Sequence, residues 1–240
     1  MSVVSGGTLY VIDTVSATTA PGNFSGGTYS SAVVFSGGSY NGVTIVSDGA
    51  VTVSSGGYIS GTTISRSGAL TVFSGATTTG TVLAAGGTLN IGDTFNANHQ
   101  PTKLASSGAL INVMSGGTLS AGDVTSGGTI NVSSGAKAIG TIVSGGGVLE
   151  FTEGGTGTYT SLLAGGTINI GNQTTYNFQY QTSLTASSGA EINVLSGGTI
   201  ASGDVASGGT INVSSGAVAS GTIVSGGGLL NISGVASGST

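Results

Sequence analysis

The chain has 240 residues, of which 48 are Gly, 2 are Pro and none is Cys; only 5% are charged, and the net charge is −5. Gly does not recur at every third position and Pro is scarce, which excludes a collagen-like chain, and the lack of Cys excludes disulfide and thiolate–metal frameworks. With Arg66, Lys103 and Lys137 as the only strong cations there is no basic surface to neutralise a run of phosphates, so nucleic acid is excluded as a partner.

The 38% of apolar residues recur at regular positions, which argues for a folded chain rather than a disordered one. No apolar run reaches the roughly 20 residues of a membrane span. The opening residues Met1-Ser2-Val3-Val4-Ser5 carry no basic segment followed by an apolar stretch, so no signal peptide is expected there.

In chain order, the hexapeptide Gly6-Gly7-Thr8-Leu9-Tyr10-Val11 is the first copy of a pattern that returns as GGTLNI at 86–91 and GGTINI at 165–170. Residues 107–147 align without a gap on 188–228, with 33 of 41 positions identical. These offsets divide a single domain, 1–240, into superrepeats 5–84, 85–163 and 164–240. Inside them the turn serines Ser107, Ser115, Ser126, Ser134 and Ser144 are spaced by 8, 11, 8 and 10 residues, so the unit is 18 or 19 residues. Rungs begin near Ser5, Ser25, Asp48, Ser67, Ala85, Ser107, Ser126, Ser144, Ala164, Ser188, Ser207 and Ser225.

Each rung reads as two strand pieces joined by Ser-Gly-Gly or Ser-Gly-Ala turns. A piece that small cannot bury its own apolar face and must stack on its neighbours. The expected fold is therefore all-β: a parallel β-helix, or β-solenoid, of about twelve rungs of 18–24 residues, roughly 58 Å long at 4.8 Å per rung. The expected core is the set of apolar-x-apolar pairs Leu9/Val11, Val51/Val53, Leu70/Val72, Leu89/Ile91, Ile111/Val113, Ile130/Val132, Ile168/Ile170, Ile192/Val194, Ile211/Val213 and Leu230/Ile232. The second pieces are expected to add Ile45, Ile64, Val82, Val124, Ile142, Leu162, Val205 and Ile223. Asn90, Asn112, Asn131, Asn169, Asn193, Asn212 and Asn231 fall between the paired apolar positions and should stack outside. Gly122, Gly140, Gly203 and Gly221 mark either bends or thin points of the coil. Insertions at 13–23, 93–104 and 172–185 break the period every fourth rung and should leave from one side of the rod.

Chemistry-bearing residues are sparse. His99 is the only histidine and has no nucleophile or acid–base partner at a recognisable spacing. Asp123 and Asp204 are equivalent positions four rungs apart, roughly 19 Å, beyond the separation that glycoside hydrolysis uses. Glu150 and Glu153 are close in sequence without a third group, and five Asp over about twelve rungs do not make a calcium ladder. No catalytic residue, cofactor or metal is expected. The corners Ser133/Ser134, Ser214/Ser215, Ser106/Ser107 and Ser187/Ser188 each satisfy a turn. As columns of exposed hydroxyls they also form accessible targets for O-glycosylation. Tyr176, Phe178 and Tyr180, at i, i+2 and i+4 of the third insertion, could present three rings to a ligand or partner, or cover the flank of the rod.

The repeats SGGTINVSSGAVASGTIVSGGG at 207–228 and SGGTINVSSGAKAIGTIVSGGG at 126–147 resemble the strand-loop-strand passenger repeats of self-associating autotransporter adhesins of the AIDA type. The resemblance implies a right-handed parallel β-helix at the cell surface, aggregation and adherence, and O-heptosylation of serine by a dedicated glycosyltransferase. The matching acceptors are Ser133, Ser134, Ser214 and Ser215. The family's C-terminal translocator barrel has no counterpart in the chain.

The expected function is thus a non-enzymatic, extracellular or surface-exposed structural protein that associates with itself, including head to tail through uncapped end rungs, or with surface glycans. The alternative is a carbohydrate-binding or carbohydrate-active solenoid using its insertions. An ice-binding solenoid would require Thr88, Thr118, Thr129, Thr167, Thr199 and Thr210 to share one flat array.

Overall fold

The computed structural model describes residues 8–11, 31–34, 36–45, 47–96, 105–172, 174–177 and 184–240. These residues form strands and turns without a helix, and every strand pairing among them is parallel. One sheet of twelve strands runs along the whole rod: Thr8–Val11, Ser31–Val34, Ala50–Val53, Ala69–Val72, Thr88–Ile91, Leu110–Val113, Thr129–Val132, Val148–Phe151, Thr167–Ile170, Glu191–Val194, Thr210–Val213 and Leu229–Ile232. The chain is a β-solenoid.

A rung has three strand pieces, not the two expected. After Thr129–Val132, for example, the chain turns into Lys137–Ile139, bends at Gly140, runs through Ile142–Val143 and turns again into Val148–Phe151. The rod therefore has a long sheet, a second face of three-residue strands and a third face of mostly two-residue strands. The third piece is too short to show a periodicity, so it reads from sequence as the tail of the second.

On the long sheet the alternation is regular. Ile111 and Val113, Ile130 and Val132, Ile168 and Ile170, Ile192 and Val194 are fully buried. Burying one such side chain contributes about 1.5–3 kcal/mol. Leu149 and Phe151, absent from the expected pairs, are buried in the same way, with Glu150 between them where other rungs carry Asn. Leu230 and Ile232 depart from expectation: Leu230 is half-buried and Ile232 is 47% exposed, because no described rung stacks beyond theirs. The strand Thr8–Val11 is in register with Ser31–Val34, and the side chains of Leu9 and Val11 lie outside the described residues.

Three core assignments on the third face shift by one residue. Val82 is half-buried, and Ile142 and Ile223 are 38% and 52% exposed; Leu83 and Val143 fill the core instead, and Val224 packs against it. The phase is set by Thr81, Thr141 and Thr222, which point inward and are fully buried. Threonine read as polar predicts the opposite phase, which is why the sequence reading failed there. Ile45, Ile64, Val124, Leu162 and Val205 are buried as expected.

The mid-rung glycines do both jobs proposed for them. Gly140 and Gly221 sit at the bend between the second and third faces with φ of 67° and 61°. Gly122 and Gly203 face inward, and a Cβ there would meet Leu119 Cδ2 at 2.7 Å and Ile200 Cδ1 at 2.6 Å. Bulk is thus exchanged within a rung: Leu119 or Ile200 opposite glycine, Ala138 or Ala219 opposite Thr141 or Thr222.

Candidate functional site

The edge where the long sheet turns into the second face carries the most regular exposed chemistry. The Ala136 N–H donates to the Ser133 carbonyl at 2.9 Å and the Ala217 N–H to the Ser214 carbonyl at 3.0 Å. Gly135 and Gly216, third in these four-residue turns, have φ of 70° and 78°, which is the demand of a type II turn. The turns stack on one another: Gly37 N–H donates to Gly56 O, Gly56 N–H to Gly75 O and Gly197 N–H to Gly216 O, at 2.9, 2.7 and 2.9 Å. This places Ser36, Ser55, Ser74, Ser115, Ser134, Ser196 and Ser215 in one exposed column, with hydroxyls about 4.8 Å apart in adjacent rungs. Asp93, Glu153 and Asn172 occupy the column in the remaining inner rungs. The Asp93 carboxylate takes the Gly75 N–H and, at 2.6 Å, the Thr94 N–H, so a side chain replaces the turn carbonyl where the period is interrupted.

The expected acceptors divide by exposure. Ser134 and Ser215 are exposed in this column, whereas Ser133 and Ser214, one position earlier, are half-buried. Ser106/Ser107 and Ser187/Ser188 belong to a different edge, between the third face and the long sheet. There Ser107 and Ser188 have φ of 49° and 51° and the following Gly108 and Gly189 have φ of 78° and 79°, the pattern of a type I′ turn. Identical Ser-Ser-Gly sequences therefore present their hydroxyls in two backbone conformations, a distinction that spacing alone did not carry.

The outer face of the long sheet bears an amide ladder. Asn112 donates to Asn90 at 2.8 Å, Asn131 to Asn112 at 3.1 Å, Asn193 to Asn169 at 3.0 Å, Asn212 to Asn193 at 2.9 Å and Asn231 to Asn212 at 2.8 Å, all through Nδ2 to Oδ1. The stacking of these asparagines follows the sequence reading. Five of the seven amides thus donate to an asparagine in the rung below, and Glu191 Oε1 takes a further bond from Asn212 at 2.6 Å. The threonines of the ice-binding reading are split, with Thr88, Thr129, Thr167 and Thr210 on the long sheet and Thr118 and Thr199 on the second face. They do not form one array.

The interruptions are shorter than their expected bounds. Thr94–Asn96 pairs in register with Thr118–Ser120, and Thr175–Asn177 with Thr199–Ala201, so these residues belong to regular rungs. The spacing between stacked asparagines rises from 19 to 22 residues across one interruption and to 24 across the next. Both leave at the bend between the second and third faces, after Asn96 and Asn177. Tyr176 is placed by backbone register opposite Ile200. His99, Lys103, Phe178 and Tyr180, and the first insertion at 13–23, lie outside the described residues.

Among the described residues no three His, Cys, Asp or Glu side chains come together to hold a metal ion, and no helix is long and apolar enough to cross a membrane. Asp123 and Asp204 stand on the outer side of the third face, four rungs apart through Ile142, Ser161 and Thr185.

No protein-family model and no curated protein sequence matches the chain. Among solved structures, the chain is similar to the crystal structure of a TibC-catalysed, hyper-glycosylated TibA55–350 fragment, with a TM-score of 0.54 and 28% identity over 87% of each chain.

Proposed function

We propose that the chain is a non-enzymatic, surface-displayed adhesive rod of the autotransporter-passenger type, O-glycosylated along its serine edge and able to associate with further copies. The supporting observation is the column Ser36 to Ser215, exposed at one-rung intervals on a solenoid similar over 87% of its length to a glycosylated fragment. A dedicated glycosyltransferase is the partner that this edge calls for. Ser134 and Ser215 are the foremost acceptors among the four serines matched by sequence, and Ser133 and Ser214 follow because half-burial restricts access. The test is co-expression of the chain with TibC, followed by intact-mass measurement and peptide mapping. Sugar additions concentrated at Ser134, Ser215 and their column neighbours are expected. An unmodified chain, or additions confined to Ser107, Ser126 and Ser188 on the other edge, would contradict the assignment.

The locus we assign to self-association is the last rung. In the rung Leu229–Ile232, Leu230 is half-buried and Ile232 is 47% exposed, whereas Ile211 and Val213, their register partners one rung below, are buried. Any further rung stacking there, from a second copy or a longer chain, would bury them and pair the open strand edge. Sedimentation velocity over a range of concentrations should show association that Ile232→Lys weakens; a concentration-independent monomer would remove the end-to-end contact.

A further inference from the structure

At the bend between the second and third faces the chain needs a left-handed residue, and most rungs supply glycine: Gly42, Gly61, Gly80, Gly140 and Gly221. One rung places a tyrosine there. Tyr159 has a φ of 55°, a conformation that is an outlier for a bulky side chain, and it is 55% exposed. Ala121 and Ser202 take the same conformation with small side chains, and only Tyr159 puts a large ring at this bend among the described residues. Its surroundings are unusual as well. Leu163 in the same rung is 51% exposed, and Ile142, which pairs in register with Ser161 between Tyr159 and Leu163, is 38% exposed. Among the described residues around them, Ser161 is exposed and Thr158 and Ser144 are half-buried, each bringing a hydroxyl.

We propose that this patch of the third face is a binding site for a neutral oligosaccharide lying along the rod. An aromatic ring with aliphatic flanks accepts the C–H face of a sugar, and the hydroxyls around it meet the sugar's own. Asp123 and Asp204, each two rungs from Ser161 on the same face and so roughly 10 Å away, are carboxylates that accept hydrogen bonds from sugar hydroxyls at either end. The same two acids disfavour a second copy as the occupant. A two-fold contact centred on Ser161 would lay Asp123 of one copy against Asp204 of the other. The site is separate from the serine edge and does not depend on its modification.

The test uses the full, unmodified chain and Tyr159→Gly, a variant that installs the residue other rungs use at this bend. Titration calorimetry with cello-, malto-, manno- and chito-tetraose should show saturable binding of at least one by the unaltered chain. The variant should bind at least tenfold more weakly while keeping the far-ultraviolet circular dichroism of the unaltered chain. Failure of all four sugars to bind, or an unchanged affinity in the variant, would overturn the proposal. So would a dimer of the unaltered chain that Tyr159→Gly dissolves, since the patch would then be a contact between copies.

Discussion

Asn131 shows how a single side chain registers its place in the rod. Its Nδ2 donates to Asn112, but its Oδ1 is buried without a hydrogen-bond donor, because the next rung carries Glu150 where the ladder expects an amide. A carboxylate can only accept, so it cannot complete the step. Glu150→Asn should join the two halves of the ladder and raise stability by about 1 kcal/mol, the typical worth of a buried hydrogen bond, readable as a shift in the urea midpoint with an unchanged slope. No gain would mean that Asn131 is satisfied by water. Ala121 and Ser202 make the complementary case for backbone, with φ of 56° and 60° at the bend that holds glycine in most rungs. The left-handed penalty of about 1–2 kcal/mol exceeds the extra chain entropy of glycine, about 0.5–1 kcal/mol, so Ala121→Gly should stabilise by about 0.5–1 kcal/mol. A loss of stability in thermal melts of that variant would contradict the strain argument.

At the scale of the strand, the sequence disclosed what its period could encode. Apolar pairs two residues apart placed the long sheet and its asparagines, since a four-residue strand shows its alternation. The third face was not legible, because Thr141-Ile142-Val143 is ambiguous in phase: only packing decides that the threonine goes inward and Ile142 outward. The serine edges were legible as turns but not as two distinct turns, because the same Ser-Ser-Gly takes a positive φ at Ser107 and not at Ser134. Size exchange within a rung is likewise invisible until the faces are folded against each other. Gly122 leaves room for Leu119, and Thr141 sits across from Ala138. Gly122→Thr alone should therefore destabilise by about 1–3 kcal/mol through overpacking, and Leu119→Ala alone by about 2–5 kcal/mol through a cavity. The double variant, which reproduces the neighbouring rung, should recover much of both losses. Additive losses in the cycle would show that the two side chains do not share one space.

Over the whole molecule, the long sheet is continuous through twelve strands while the second and third faces break into shorter sheets, with interruptions beyond Asn96 and Asn177 leaving at the same bend. Among the described residues, a rod built this way keeps one uninterrupted face, and its serine edge is broken only where Asp93, Glu153 and Asn172 take the serine's place. Low charge suits close lateral approach, and repetition multiplies weak contacts into avidity. The adhesive reading rests on that repetition rather than on any single pocket. The most direct test is display of the 240-residue chain on the surface of a bacterium that does not otherwise aggregate, followed by turbidity at the top of a standing culture. Settling within hours, abolished when displaying cells are diluted into an excess of bare cells, is the predicted result. Cells that display the rod at high density and remain dispersed, with no gain in attachment to glycan-coated surfaces, would contradict it.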